Sequence, residues 1–201
     1  AGSGSGLALA ARTLVPGRVH DLFDAAADAV PDDHEVCEQL VRHQHTYVGD
    51  LPVGLTLAER VEYAATAFEL MGWEEFSRLV VFAGHAGETA NNPYDASLDC
   101  GACAGNPGGP SARVLATICN DAAVQDELRE RGLDVPEDTL FVAAQHNTTT
   151  DEIELYDGHV PESHLDDLEQ LRADLETART NTAAERAADM DTGTDSAVRE
   201  T

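Results

Sequence analysis

The chain has 201 residues and a mass of 21.4 kDa, enough for one α/β domain with a real hydrophobic core and too much for a small stapled module. Twelve basic against 38 acidic side chains leave a formal charge of -26, and every base is Arg, because the sequence holds no Lys. Polyanion binding needs a basic face that releases counterions, so nucleic acid is excluded as a partner class and an anionic lipid surface is disfavoured.

The 42% of hydrophobic residues fall in periodic segments, too much apolar material for an acidic disordered chain. The charge instead fits a protein working in concentrated salt, where screening acts over roughly 3 Å at 1 M. The longest apolar stretches, such as Leu79 to Ala83, fall far short of the ~20 residues that span a bilayer, and no signal peptide is visible. The chain opens with Ala1 in the run AGSGSG and closes in a polar tail, which reads as a piece of a longer, cytoplasmic protein.

From Gly6 to Val30 the sequence is Ala-rich with helical spacing, broken at Pro16-Gly17, and predicts two short helices. The next stretch, to Val53, is less regular. From Thr56 a helix is predicted, opened by Thr56 and Glu59 as a capping box, with Leu57, Val61, Ala64, Ala65, Phe68 and Met71 on one face. The apolar run Leu79 to Ala83 predicts a strand buried on both faces. Residues 88–110 are rich in Gly, Asn, Pro and Asp, and so long a loop inside a domain is usually functional. A helix is predicted from Ser111 to about Arg131, then a strand from Thr139 to Ala144 running into QHNTTTD. Strand, helix, strand is a crossover unit of a parallel sheet, and both strands would end in His-bearing loops on one edge, where open α/β sheets place their sites. A short strand, EIELYD, and a helix from Glu162 to about Arg186 complete the pattern.

The residues with chemical promise lie at that edge. His85, in AGHAGE, has the placement of a metal ligand or general base, with a His bonded to a neighbouring carbonyl as the plainer alternative. Cys100 and Cys103 form a single CxxC, which supports half of a structural zinc site, a redox dithiol, or one ligand with a small neighbour. Cys37 and Cys119 are isolated, so no second pair completes a four-Cys site. His85 and a thiolate favour zinc, but two ligands are too few. His43 and His45 read as a solvated surface pair, His146 as a hydrogen-bonded neighbour of the crevice, and Cys119 as core. GNPGGP lacks the Lys of a phosphate loop, and neither G-x-G-x-x-G after a strand nor G-x-S-x-G is present.

The runs GHAGETANNPYDASLDCGACAGNPGGPSARVLATICN, LRERGLDVPEDTLFVAAQHNTTTDEIELYD and GLTLAERVEYAATAFELMGW resemble the DabA family, the large subunits of DAB-type inorganic carbon transporters. The family pattern is Gly-His-Gly, Asn-Asn-Pro, Asp-Cys-Gly-Ala-Cys-x-Gly, Asn-Ala-Arg and later His-Asn-Thr with an Asp. Here Gly84 to Ala86 reads Gly-His-Ala and Ser111 to Arg113 reads Ser-Ala-Arg. The resemblance is close from Gly54 to Asp157 and looser elsewhere. It implies a β-carbonic-anhydrase-like zinc site of two Cys, one Asp and one His, in which His85 and Cys100 are two of the ligands. The other Cys and the Asp belong to a Cys-x-Asp-x-Arg segment upstream in the family, which this sequence lacks, since Cys119-Asn120-Asp121 has no following Arg.

The resemblance further implies hydration of CO2 to bicarbonate, coupled to a membrane partner, DabB, that is similar to the ion-conducting subunits of respiratory complex I. The location implied is peripheral, at the cytoplasmic face of the cell membrane. The expected architecture is therefore α/β, a parallel sheet with crossover helices. Residues 1–53 form a helical N-terminal segment, 54–160 an α/β core carrying half of a zinc site, and 161–201 a helix with an acidic tail. Alone, the chain is expected to bind zinc weakly and to be inactive. A soluble CxxC redox protein and a non-catalytic scaffold are the alternative readings.

Overall fold

A computed structural model describes residues 2–15, 17–19, 22, 41–42, 47–48, 50–89 and 94–190. Cys37, His43, His45, the Asn91-Asn92-Pro93 run and the acidic tail from residue 191 lie outside them, as does most of the second N-terminal helix expected above. Helix α1 spans Gly2–Leu14, and the short strands β1 (Tyr47–Val48) and β2 (Leu51–Pro52) pair antiparallel.

Helix α2 runs from Leu57 to Met71 and begins with the capping box expected from its sequence. The Glu59 backbone N–H donates to Thr56 Oγ1 at 3.3 Å, and the Thr56 N–H donates to the Glu59 carboxylate at 2.8 Å, so two otherwise orphaned donors are satisfied. Gly72 stops it in the left-handed conformation, φ 66°. Its buried face carries Arg60, Val61, Ala64 and Phe68, whereas Leu57 and Met71, expected on that face, are 36% and 41% exposed. Arg60 is drawn inward by a carboxylate two helices away.

The sheet has three strands in the order β3-β4-β5 among the described residues: β3 (Leu79–Ala86), β4 (Leu140–Asn147) and β5 (Glu152–Tyr156). β3 and β4 are parallel, with Leu79 opposite Leu140 and His85 opposite His146. β5 returns antiparallel, Ala143 opposite Tyr156. The sheet is thus mixed rather than parallel throughout, because the few residues between β4 and β5 are too few for a parallel crossover. Both long strands outlast their expected ends, so His85 and His146 belong to the strands themselves. β3 is not buried on both faces either: Ala83 and His85 are exposed, as suits a strand with a single neighbour in this sheet.

The expected helix from Ser111 to Arg131 is two, α3 (Gly109–Cys119) and α4 (Ala122–Glu130). Asn120 and Asp121 make the break. Asn120 Nδ2 donates to the Phe141 carbonyl at 2.7 Å while its Oδ1 accepts from the Phe141 N–H at 2.9 Å, so one side chain grips β4 as a strand would. Asp121 caps α4 by accepting from the Ala123 N–H at 3.0 Å.

One sheet face is covered by α2, α3 and α4 through Val61, Ala64, Phe68, Ala116, Val124 and Leu128. Helix α5 (Leu165–Asp189) packs on the other through Leu168, Leu171 and Leu175 against Ala144 and Leu155, giving the usual layered burial of a sheet. Among the described residues no helix is long and apolar enough to cross a membrane.

Asp121 also accepts from buried Arg60 and, at 3.0 Å, from Arg42. Burial opposes its charge, but the Ala123 N–H and the two guanidiniums outweigh that and hold the carboxyl below its ordinary 3.8. A depressed folded pKa stabilises the fold fully above the unfolded value and loses that contribution as pH falls through the folded one. Asp121→Ala should therefore cost about 3–5 kcal/mol in urea unfolding near pH 7, the usual penalty for orphaning a buried charge. The difference from wild type should shrink as the pH is lowered below 3.8.

Candidate metal-ligand site

His85 is the penultimate residue of β3, and its imidazole is exposed. Its Nδ1 lies 3.3 Å from Thr148 Oγ1, just past the end of β4. The strand ends are tied together around it. Thr148 donates to the Ala86 carbonyl from both its N–H (2.9 Å) and its hydroxyl (3.1 Å). Asn147 Nδ2 donates to Glu88 at 2.8 Å, and the Glu88 N–H donates to Thr149 Oγ1 at 3.1 Å.

The Gly-rich loop returns to this strand end by backbone contact. The Gly108 N–H donates to the His85 carbonyl at 2.7 Å. A Cβ on Gly108 would lie 2.8 Å from the His85 nitrogen, and one on Gly84 would collide with the Gly108 backbone. A Cβ on Gly109 would strike the Tyr156 ring and Gln145 Oε1. The GGP run thus serves close packing of loop and helix against the sheet, consistent with its lack of a phosphate-loop Lys.

Within the loop, Cys100 precedes a 3-10 turn, Gly101–Cys103. The Cys100 N–H donates to the Asn106 carbonyl at 3.2 Å, and the Cys103 and Gly105 N–H groups donate back to the Cys100 carbonyl at 3.0 and 3.1 Å. Ala104 (φ 58°) and Gly105 (φ 78°) take left-handed conformations to close the turn. Asp99, next to Cys100, accepts from the Gly87 N–H at 3.0 Å. The segments bearing His85 and Cys100 are therefore joined twice, through Asp99–Gly87 and through Gly108–His85.

The two thiols of the CxxC are unequal. The neighbouring Cys103 side chain, with the Cys103 and Ala102 N–H groups, draws the Cys100 thiol below its ordinary pKa. The same neighbour relation raises Cys103, whose sulfur lies 3.7 Å from Ser111 Oγ. Cys119 is fully buried on α3, and burial pushes its thiol up to about 12. A lowered thiol is what a metal ligand needs, since the thiolate is the ligating form.

His146 stands beside His85 in register, on the same sheet face. Its Nε2 is 3.5 Å from Asp151, which is 11% exposed, held at φ 60° and paired with Arg186 of α5. Cys119 and Asp121 serve the core and the α3–α4 break. Among the described residues no cluster of three or more His, Cys, Asp or Glu side chains is gathered to hold a metal. Sequence reasoning missed Thr148, Asp99 and Asp151. Asp99 and Thr148 stand within the Asp-Cys-Gly-Ala-Cys and His-Asn-Thr runs of the family pattern, where nothing marked them for a role of their own.

Fold and site together define an α/β protein that presents an imidazole and a CxxC loop at the carboxyl end of a parallel strand pair. A model of the family described as "Probable inorganic carbon transporter subunit DabA" matches residues 1–201, and the chain belongs to that family. Relatives bearing that description include one from Haloarcula marismortui, 75% identical over 201 residues. One from Natronomonas pharaonis is 59% identical over 186 residues, and one from Salinibacter ruber is 51% identical over 213. The alignments cover 100%, 92% and 100% of this chain but only 25%, 22% and 26% of those proteins. The chain therefore spans about a quarter of the length of the relatives it matches. No solved structure matches.

Of Cys100, Cys103 and Cys119 in metal-free protein near pH 7.5, iodoacetamide should label Cys100 first, Cys103 more slowly and Cys119 only on unfolding, as mapped by peptide mass spectrometry. Cys103→Ala should slow labelling of Cys100 by removing the neighbouring thiol.

Proposed function

We propose that this chain supplies two ligands, His85 and Cys100, to the zinc site of an inorganic carbon transporter subunit that hydrates CO2 to bicarbonate. The observation that carries the reading is the double tie, Asp99–Gly87 and Gly108–His85, that holds the Cys100 loop on the strand end bearing an exposed His85. Imidazole and thiolate are the donor types that suit zinc. A closed zinc site takes four ligands, so the second Cys and an Asp come from parts of the protein beyond these residues. Zinc would supply a water acidified to near neutral pH, and so a nucleophile for CO2.

The chain's own part is to hold the two donors. The Gly108 and Asp99 bonds fix the loop on β3, and the Cys103 thiol and turn N–H groups favour the Cys100 thiolate. The β-carbonic-anhydrase-like architecture belongs to this proposal, as do the membrane partner DabB and a peripheral place at the cytoplasmic face. A site split between distant segments stays incomplete until the whole subunit assembles, which limits hydration that is not coupled to a partner.

In the full-length subunit with its partner, His85→Ala and Cys100→Ala should each lower bound zinc, measured by elemental mass spectrometry, to a small fraction of wild type. Both should abolish growth that depends on carbon uptake. Full zinc occupancy in either variant would remove that residue from the ligand set. The 201-residue chain alone should hold zinc far more weakly than the full subunit. A second reading, a redox dithiol, is favoured by the nearness of the Cys100 and Cys103 thiols, each of which shifts the other's pKa. Chelator-dependent protection of Cys100 from alkylation supports the metal site, and a reversible disulfide that forms equally well with zinc bound supports the dithiol.

A further inference from the structure

We infer that Thr148 is the positioning residue of the site: its hydroxyl holds His85 in the Nδ1-protonated form and leaves Nε2 as the metal-binding atom. The inference rests on the zinc-site reading above. A threonine hydroxyl has one proton to give and lone pairs to receive. The Ala86 carbonyl, 3.1 Å away, takes the proton, and the Thr148 N–H donates to the same carbonyl at 2.9 Å, so the residue is anchored at two points. What Thr148 Oγ1 turns toward His85 Nδ1, at 3.3 Å, is then a lone pair, and Nδ1 must bring the hydrogen. A neutral imidazole carries one N–H, so Nε2 is left with its lone pair on an exposed ring.

The opposite arrangement would put the proton on Nε2 and turn the outward nitrogen into a donor, which cannot ligate. Ligating histidines generally give their second N–H to an oxygen acceptor in this way, and losing that acceptor costs about 10- to 100-fold in metal affinity. The acceptor here is supplied by the neighbouring strand. Because β3 and β4 are parallel and in register through Ala86 and Asn147, Thr148 emerges beside the ring.

The test uses full-length subunit and Zn2+ itself, titrated against a chromophoric chelator. Thr148→Val, which keeps the shape and removes the hydroxyl, should weaken zinc binding by about 10- to 100-fold, with unchanged far-ultraviolet circular dichroism. Thr148→Ser should restore affinity close to wild type. In Co2+-substituted protein the ligand-field bands should shift in the Val variant and return in the Ser variant. Wild-type affinity in Thr148→Val, or equal loss in Val and Ser, overturns the role of the hydroxyl while the zinc reading stands. If His85→Ala keeps its zinc, the zinc reading fails, and this inference with it.

Discussion

The loop that carries Cys100 lies on β3 because glycines at the contact lack a side chain. Gly84 in the strand and Gly108 before α3 bring two backbones into direct contact, Gly87 lies against Leu98, and Gly109 lies against the Tyr156 and Gln145 side chains. The Gly108–His85 hydrogen bond closes the backbone contact at 2.7 Å. Everything of chemical interest is positioned from there. The CxxC turn hangs from the loop, α3 starts against Tyr156 and Gln145, and Ala112 and Ala116 carry α3 into the core. Any methyl group at Gly84 would push the loop off the strand, and with it the thiol. The loop's composition, which on first sight suggests flexibility, is instead the condition for close packing.

The electrostatics follow a similar economy. With 12 Arg against 38 acids, cations are scarce, and most described guanidiniums are committed to carboxylates that join elements. Arg60 and Arg42 meet at Asp121, Arg78 joins Asp138 and Asp167, and Arg186 reaches Asp151. Arg113 lies over the Tyr156 ring, 5.5 Å from its centre. A guanidinium can serve several oxygens at once, which suits a chain that must hold itself together with few positive charges.

How much of this was legible beforehand depended on range. The Thr56–Glu59 capping box was readable because its partners are three residues apart. The α3–α4 break was not, since Asn120 and Asp121 look like ordinary mid-helix residues until Phe141 and Arg60 are in place, 21 and 61 residues away. The inward turn of Arg60 was hidden for the same reason. The run Leu79 to Ala83 announced a strand, but a continuous apolar stretch does not say how many strands flank it. At the site, His85 and Cys100 stood out by residue type. Thr148 did not, because its role comes from the register of β3 and β4 rather than from its neighbours in sequence.

The aromatic cluster has a practical side. Four of the five Phe and the single Trp gather in one cluster, in which Trp73 lies over Phe82 at 5.6 Å and 11°, Phe82 over Phe141 at 5.6 Å and 9°, and Phe76 meets its neighbours edge-on. Phe82 sits three positions before His85 on the same strand. Indole emission from this protein therefore has one source, lodged against the two strands that present the imidazole. The molecule carries its own optical gauge of whether that strand pair is intact.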